Sequence, residues 1–127
     1  MPLVRVSLRQ GKSDDYKKAI GDGVYQALRE TFTVPEEDRF VTVSEHSESE
    51  LQFSRTYFDI ARSDEFVIIQ ITVSNTRSVD QKKALFARIA ELLSQHPGLR
   101  KEDVFINLVE VARENWSFGN GIAQYAA

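Results

Sequence analysis

The fold is decided by the stretch SDDYKKA at residues 13–19, which returns as SVDQKKA at residues 78–84, 65 positions further along the chain. At the same offset, EDRFV at 37–41 falls on EDVFI at 102–106, and the match runs without a gap over about 45 residues. Apolar residues at the start of the chain also match apolar residues at the same offset of 65. Val4, Val6 and Leu8 correspond to Ile69, Ile71 and Val73. The chain is therefore two copies of one unit, and such a repeat fixes the architecture.

Each copy is predicted to fold as strand, helix, strand. The first strand of each copy places β-branched or apolar residues at every second position. Ser13 and Ser78 are natural helix N-caps, and Gln81 follows Ser78 at the spacing of a capping box. Gly21 and Gly23 weaken the first helix locally and indicate a close helix–helix approach. The predicted helices cover about 14–31 and 79–95, and the predicted second strands about 39–46 and 104–111.

The order of these elements predicts the fold class. A strand–helix–strand unit normally places its two strands parallel through a right-handed crossover. Two such units predict an α+β domain with a four-stranded sheet and both helices on one face. We expect one domain over residues 1–127, with repeat one at about 2–46, repeat two at about 67–111 and a tail at 112–127. The other face of the sheet is left bare, and such a face is often covered by another subunit, so we expect an oligomer.

Two segments lie outside the repeat. Residues 47–65 begin with polar side chains and continue with aromatic ones, which predicts a short strand or hairpin. The tail is rich in aromatic residues and glycine, and Gly119 and Gly121 around Asn120 predict a turn. This mixture is too apolar for a disordered segment, so we expect the tail to dock on the body or on a neighbouring subunit.

Composition bounds the possible functions. The 127 residues are enough for one domain with a substantial core, and 42% hydrophobic with 28% charged residues is typical of a globular protein. A net charge of −3 argues against a nucleic-acid surface or a polybasic membrane face. Without cysteine, disulfides and thiol catalysis are excluded, and two isolated histidines cannot form a structural zinc site. No signal peptide or membrane span is expected, so we predict a cytoplasmic protein without a metal.

Pro2 opens the first predicted strand directly after Met1. Initiator methionine is normally removed when the next residue is small, and removal would leave Pro2 with a secondary amine. Such an amine can accept or donate a proton if burial lowers its pKa. The simpler interpretation is that proline is tolerated as the first residue of a strand and has no chemical role.

Four segments, in this order and spacing, resemble the tautomerase superfamily, most closely its malonate semialdehyde decarboxylase branch. They are Pro2, VPEEDRF at 34–40, TRS at 76–78, and WSFG at 116–119 together with QY at 124–125. The resemblance spans nearly the whole chain. It implies a homotrimer, a reaction without a cofactor, and a site beside the amino-terminal proline that is lined partly by an adjacent subunit.

The resemblance also implies roles for individual residues. Asp38 matches the aspartate that works with the proline, and Arg77 matches the second of two arginines that bind the carboxylate or carbonyl of the substrate. Asn75 stands where that branch has the first arginine, and asparagine has neither its charge nor its bidentate fork, which weakens the prediction of decarboxylation more than that of tautomerisation. Three residues match an aromatic wall of the pocket: Trp116, Phe118 and Tyr125.

Several of these residues have simpler interpretations. Arg77 resembles a solvated loop arginine, Asp38 a plain turn residue, and the aromatic residues of the tail a core or interface cluster. Arg55 or Arg62 in the linker is a candidate for the missing second cation. His46 ends a predicted strand, and we interpret it as structural or exposed, with a place in the pocket lining as the alternative.

Two functions of different classes follow. The first is an enzyme without cofactor that tautomerises a small 2-oxo acid, with decarboxylation of a 3-oxo acid as a close variant. Its partners would be that acid and further copies of itself, with neither nucleic acid nor membrane. The second is a non-enzymatic, ferredoxin-like domain that binds a small molecule between subunits, in which Pro2 has no chemical role.

Overall fold

The two repeats form one mixed β-sheet. The computed structural model describes residues 1–126, and its strands are β1 (Leu3–Arg9), β2 (Val41–His46), β3 (Val67–Ser74) and β4 (Val104–Val111). Their order is β2-β1-β3-β4, with parallel pairs within each repeat and an antiparallel pair, β1 and β3, between repeats. The predicted sheet is confirmed. Strand β2 begins two residues later than expected, because the Arg39 N–H closes a tight turn on the carbonyl of Glu37.

Two helices cover one face of the sheet, α1 (Asp14–Phe32) and α2 (Val79–Gln95). Their bounds agree with the prediction to within one residue, and so do their caps. The Ser13 hydroxyl accepts a hydrogen bond from the backbone of Tyr16, and Ser78 and Gln81 form the predicted capping box. The apolar stripes of both helices pack with alternate residues of the strands into a single core. Three short 3₁₀ segments complete the regular structure: Tyr57–Asp59, Lys101–Asp103 and Arg113–Asn115.

The two glycines of α1 face different neighbours. A Cβ atom at Gly23 would lie 2.8 Å from Cδ2 of Leu93 on α2, so the predicted close approach of the helices is confirmed there. A Cβ atom at Gly21 would lie 3.5 Å from Cγ1 of Val41, which is an ordinary contact with β2. Gly21 therefore does not contribute to the helix–helix contact.

The prediction of a strand or hairpin in residues 47–65 is wrong. The segment folds as turns and one short 3₁₀ helix, in which Phe58 and Asp59 adopt left-handed backbone angles. Its backbone carbonyls are bound by a side chain instead of a neighbouring strand: the Arg62 guanidinium donates to the carbonyls of Ser54 and Tyr57 at 3.2 and 3.0 Å. The aromatic residues of the segment had suggested a strand. One of them, Phe53, instead stacks its ring on that of Phe66.

The sheet face opposite the helices is uncovered in a single chain. It exposes large apolar side chains, among them Leu3, Phe105 and Val109. Within residues 1–126, no helix combines the length and the apolar character that crossing a bilayer requires.

Candidate active site

Pro2 lies directly before β1, at the edge of the sheet where that strand begins. It is buried, and the parallel register of β1 with β2 brings the turn after α1 alongside it. The backbone N–H of Val4 donates to the carbonyl of Phe40 at 2.9 Å, which fixes that turn against β1. The amino group of Met1 consequently forms an ion pair with the carboxylate of Asp38.

The amino group in this position is partly removed from water. Burial first, and then the positive charge of Arg77, lower the pKa of the Met1 amino group from 8.0 to about 6. The Asp38 carboxylate favours the protonated amine and opposes this shift. Within residues 1–126, the Oδ1 atom of Asp38 is buried and has no hydrogen-bond partner, so it can accept another donor. An amine here can therefore exchange a proton near neutral pH.

Arg77 is held by the carboxyl end of α1. Its guanidinium donates to the carbonyl of Phe32 at 2.9 Å and lies 4.9 Å from the centre of the Phe32 ring. A second nitrogen donates to the hydroxyl of Thr76 at 3.1 Å. Burial lowers the pKa of Arg77 from its ordinary value, and the nearby Tyr125 opposes that shift. A guanidinium placed between a helix end and an aromatic ring keeps its charge available for an anion.

The tail forms an aromatic cluster beside Pro2. Trp116 stacks on Phe118 with ring centres 5.6 Å apart, and Phe118 meets the edge of Tyr125 at 5.1 Å. Gln124 closes the loop between them, because its side chain accepts from the backbone of Phe118 and donates to the carbonyl of Gly119. The predicted turn is present, and the tail docks on its own chain as one of the two expected arrangements.

A cavity of about 220 Å³ opens between this tail and the start of β1. Its walls are mostly apolar and come from both ends of the chain and from the turn before β2: Pro2, Leu3, Phe40, Trp116, Ser117 and Phe118. The structure thus brings Trp116 and Phe118 to Pro2, with Asp38 and Arg77 around the amino group of Met1. Tyr125 does not line the cavity and contacts it only through Phe118. The cavity lining itself carries no charged side chain, and Arg77 lies outside it.

Three other candidate residues, Asn75, His46 and Arg55, do not line this cavity. Asn75 is exposed at the end of β3, where its backbone N–H donates to the carbonyl of Val111 at 3.0 Å. His46 and Arg9 are register partners at the far end of β1, so His46 lies at the opposite end of the sheet from Pro2. Arg55 is also at that end, where it pairs with Asp64, which also binds Arg9. In the single chain, the linker therefore supplies no second cation to Pro2.

Sequence reasoning missed two residues that hold the site. Phe32 binds Arg77 through a backbone carbonyl, which every residue possesses, so no sequence signal marks it. Ser74 is 1% exposed and accepts a hydrogen bond from the indole N–H of Trp116 at 3.2 Å. No sequence signal marked Ser74 either, because it follows Gln70 and Thr72 at alternate positions of β3, a pattern that predicts an outward-facing residue.

The counterpart of this site in the second repeat is closed. Asp103 occupies the position of Asp38 and is fully buried, but it accepts from the backbone and hydroxyl of Ser63 at 2.7 and 2.6 Å. Val67 stands where the first repeat has Pro2, in the middle of the chain. The two copies thus differ in what their aspartates bind.

Comparison with known proteins identifies the family. Two family models, both described as tautomerase enzyme, match residues 38–119 and 2–61. The probable tautomerase YusQ of Bacillus subtilis (strain 168) is 39% identical over 124 residues, which cover 98% of each chain. The chain belongs to the tautomerase family.

Solved tautomerase-family structures share the fold. FG41 malonate semialdehyde decarboxylase, in a form inhibited by 3-bromopropiolate, superposes with a TM-score of 0.91 and 36% identity, covering 97% of this chain and 93% of that one. A fused 4-OT protein described as a symmetric trimer superposes with a TM-score of 0.80 over 98% of each chain, at 18% identity, which shows a shared fold alone. The predicted family is therefore confirmed.

Proposed function

We propose that Met1 is removed and that the secondary amine of Pro2 then transfers a proton in the keto–enol tautomerisation of a small 2-oxo acid. The carrying observation is the environment of the amino terminus, where burial and Arg77 lower the pKa of the Met1 amino group to about 6; burial and the same positive charge act in the same direction on a Pro2 amine. A base with a pKa near the working pH is suited to proton transfer in both directions. Membership of the tautomerase family supports the same reaction class.

Each residue of the site has a role in this proposal. In the direction from enol to keto, the neutral Pro2 takes the proton of the enol hydroxyl, and the protonated Pro2 then delivers it to the neighbouring carbon, so that the acid keeps its composition and Pro2 returns to its neutral form. Arg77 holds the carboxylate, and Asp38 stabilises the protonated amine. The aromatic wall of the tail excludes water, which strengthens the contact with Arg77.

Decarboxylation of a 3-oxo acid is a second candidate. It is favoured by the similarity to FG41 malonate semialdehyde decarboxylase. It is disfavoured by Asn75, which is uncharged and exposed where the decarboxylase branch has a cation. We therefore rank tautomerisation first, and the loss of CO₂ from malonate semialdehyde by the same preparation would measure the second activity.

We propose further that the chain assembles as a homotrimer through the uncovered face of the sheet. That face carries exposed Leu3 and Val109 close to Pro2, so a neighbouring subunit seated there would also help enclose the cavity. The description of the fused 4-OT protein as a trimer supports the proposal at the level of the fold.

The experiment compares the rate of phenylpyruvate enol–keto conversion by the wild type and by Pro2→Ala, after intact mass has shown that Met1 is absent from both. We expect the rate to fall by about 100-fold or more, the range typical of losing general acid–base catalysis. A matched control carries an uncleavable extension before Pro2, which turns the amine into an amide and should be equally inactive. Equal rates in the wild type and Pro2→Ala would overturn the proposal and favour a ligand-binding role.

A further inference from the structure

The hydroxyl of Ser74 is buried beside the amino terminus and has two partners. It accepts a hydrogen bond from the indole N–H of Trp116 at 3.2 Å and donates to the sulfur of Met1 at 3.1 Å. Ser74 is only 1% exposed, so this pair of contacts, and not solvent, fixes where the hydroxyl proton points.

The hydrogen bond from Trp116 sets the direction in which the Ser74 hydroxyl can donate. The indole N–H can only donate, so it occupies a lone pair of the Ser74 oxygen. The hydroxyl proton must then point away from Trp116, and in this structure it points to Met1, whose amino group pairs with Asp38. Ser74 therefore aims a donor into the space that the first residue of the chain occupies.

Removal of Met1 changes the hydrogen bonds that are available to the Ser74 hydroxyl. A thioether sulfur is a weak acceptor, and after removal even that acceptor is gone. Removal also opens the space that Met1 filled, so the hydroxyl then donates to water, and the oxygen atom of a ligand can replace that water. The indole N–H is untouched by the removal and continues to hold the hydroxyl in the same orientation.

We propose that Ser74 is a substrate-binding residue, which donates a hydrogen bond to the oxo or enolate oxygen of an acid whose carboxylate is held by Arg77. This inference rests on the proposed function and adds the group that polarises the oxygen. Asn75 is exposed, whereas Ser74, one residue earlier, is buried and bound to Trp116, which lines the cavity.

The test uses two inhibitors that differ only at the carbon next to the carboxylate. Phenylglyoxylate has a 2-oxo oxygen and cannot enolise, and phenylacetate has the same ring and carboxylate without that oxygen. For protein lacking Met1, we expect Ser74→Ala to weaken inhibition by phenylglyoxylate about tenfold, as for the loss of one hydrogen bond to a charged or strongly polar ligand. Inhibition by phenylacetate should change less than about twofold. Ser94→Ala, which removes a hydroxyl at the end of α2, is the matched control and should change neither.

The outcomes are distinct from those of the Pro2 experiment. Equal weakening of both inhibitors, or of neither, by Ser74→Ala would overturn the inference, because a purely structural role cannot sense the oxo oxygen. Binding of both inhibitors to the wild type, Ser74→Ala and Pro2→Ala, measured by calorimetry, separates the two proposals because it does not depend on turnover. If Pro2→Ala turns over normally while Ser74→Ala weakens the binding of phenylglyoxylate alone, the proton-transfer proposal fails and the role of Ser74 in binding stands.

Discussion

Arg77 obtains its position from the backbone of α1, not from an acidic side chain. Within residues 1–126 it forms no salt bridge, and its nearest acceptor is the Phe32 carbonyl at the negative end of the α1 dipole. A carboxylate partner would neutralise the guanidinium, whereas a carbonyl and an aromatic face orient it and leave its charge. That arrangement suits a residue that must bind an anion and, at the same time, lower the pKa of a neighbouring amine.

Replacing this charge should therefore have two effects. Arg77→Gln is expected to raise KM for the oxo acid at least about tenfold, because a charge-assisted hydrogen bond is lost. Since Arg77 lowers the pKa of the terminal amine, the substitution should also move the lower limb of the pH profile of kcat/KM to higher pH. Arg88→Gln, which breaks a pair with Glu30 on the helix surface, is the control. A midpoint that stays in place or moves down would contradict the electrostatic role of Arg77.

The sequence indicated which individual side chains could carry out chemistry, but it could not show which contacts position them. Pro2, Asp38 and Arg77 were marked by the resemblance to a known family, and the fold brings them together. The contact between Arg77 and Phe32 joins residues 45 positions apart through a backbone atom, so it follows only from the packing of α1 against the start of α2.

Helix α1 contains a pair of glycines that test its packing. Compared with alanine, each glycine in a helix interior lowers the free energy of unfolding by about 0.5–1 kcal/mol. Gly21→Ala should recover that free energy, because its Cβ would meet Val41 at an ordinary 3.5 Å. Gly23→Ala should lower the free energy of unfolding by about 1–2 kcal/mol, because its Cβ would meet the buried Leu93 at 2.8 Å.

Urea denaturation of the two alanine variants measures this difference directly, and each variant serves as the control for the other. A Gly23→Ala protein as stable as Gly21→Ala would mean that Leu93 has room to move and that the helices are not in tight contact. Adding Leu93→Val to Gly23→Ala should recover part of the loss, since neighbouring substitutions in one contact are not additive.

Elements whose backbone bonds are local or follow the repeat were predictable, and the linker was not. The caps of both helices lie within three residues of their partners, so the sequence shows them directly. In residues 47–65, by contrast, the carbonyls that a strand would pair are taken by Arg62. An arginine has five donors and no preferred partner in the sequence, so the aromatic pattern alone suggested a strand.

The whole molecule leaves a sheet face that a single chain cannot cover. If the proposed trimer forms there, light scattering should give three times the 14.5 kDa of one chain. Val109→Glu would bury a charge in the interface and should yield a folded monomer, with folding checked by circular dichroism. Val79→Glu places the same change on an exposed helix position and should leave the mass unaltered. A wild-type monomer would refute the trimer, and a trimeric Val109→Glu would place the interface elsewhere.

The repeat made the architecture of the molecule predictable, since one strand–helix–strand unit had to be placed twice. It did not predict the asymmetry of function between the copies. Asp38 and Asp103 are equivalent in sequence, and only the three-dimensional contacts show that the first binds an amino group and the second binds Ser63.

That asymmetry fixes a stoichiometry. A polypeptide has one amino terminus however many times its unit is duplicated, so the mid-chain position of Val67 can never offer a free amine. Joining two units in one chain therefore halves the number of reactive amines for each unit of fold. Under the proposed mechanism, a trimer of this protein would contain six strand–helix–strand units and three reactive ends, while Asp103 in each chain binds Ser63.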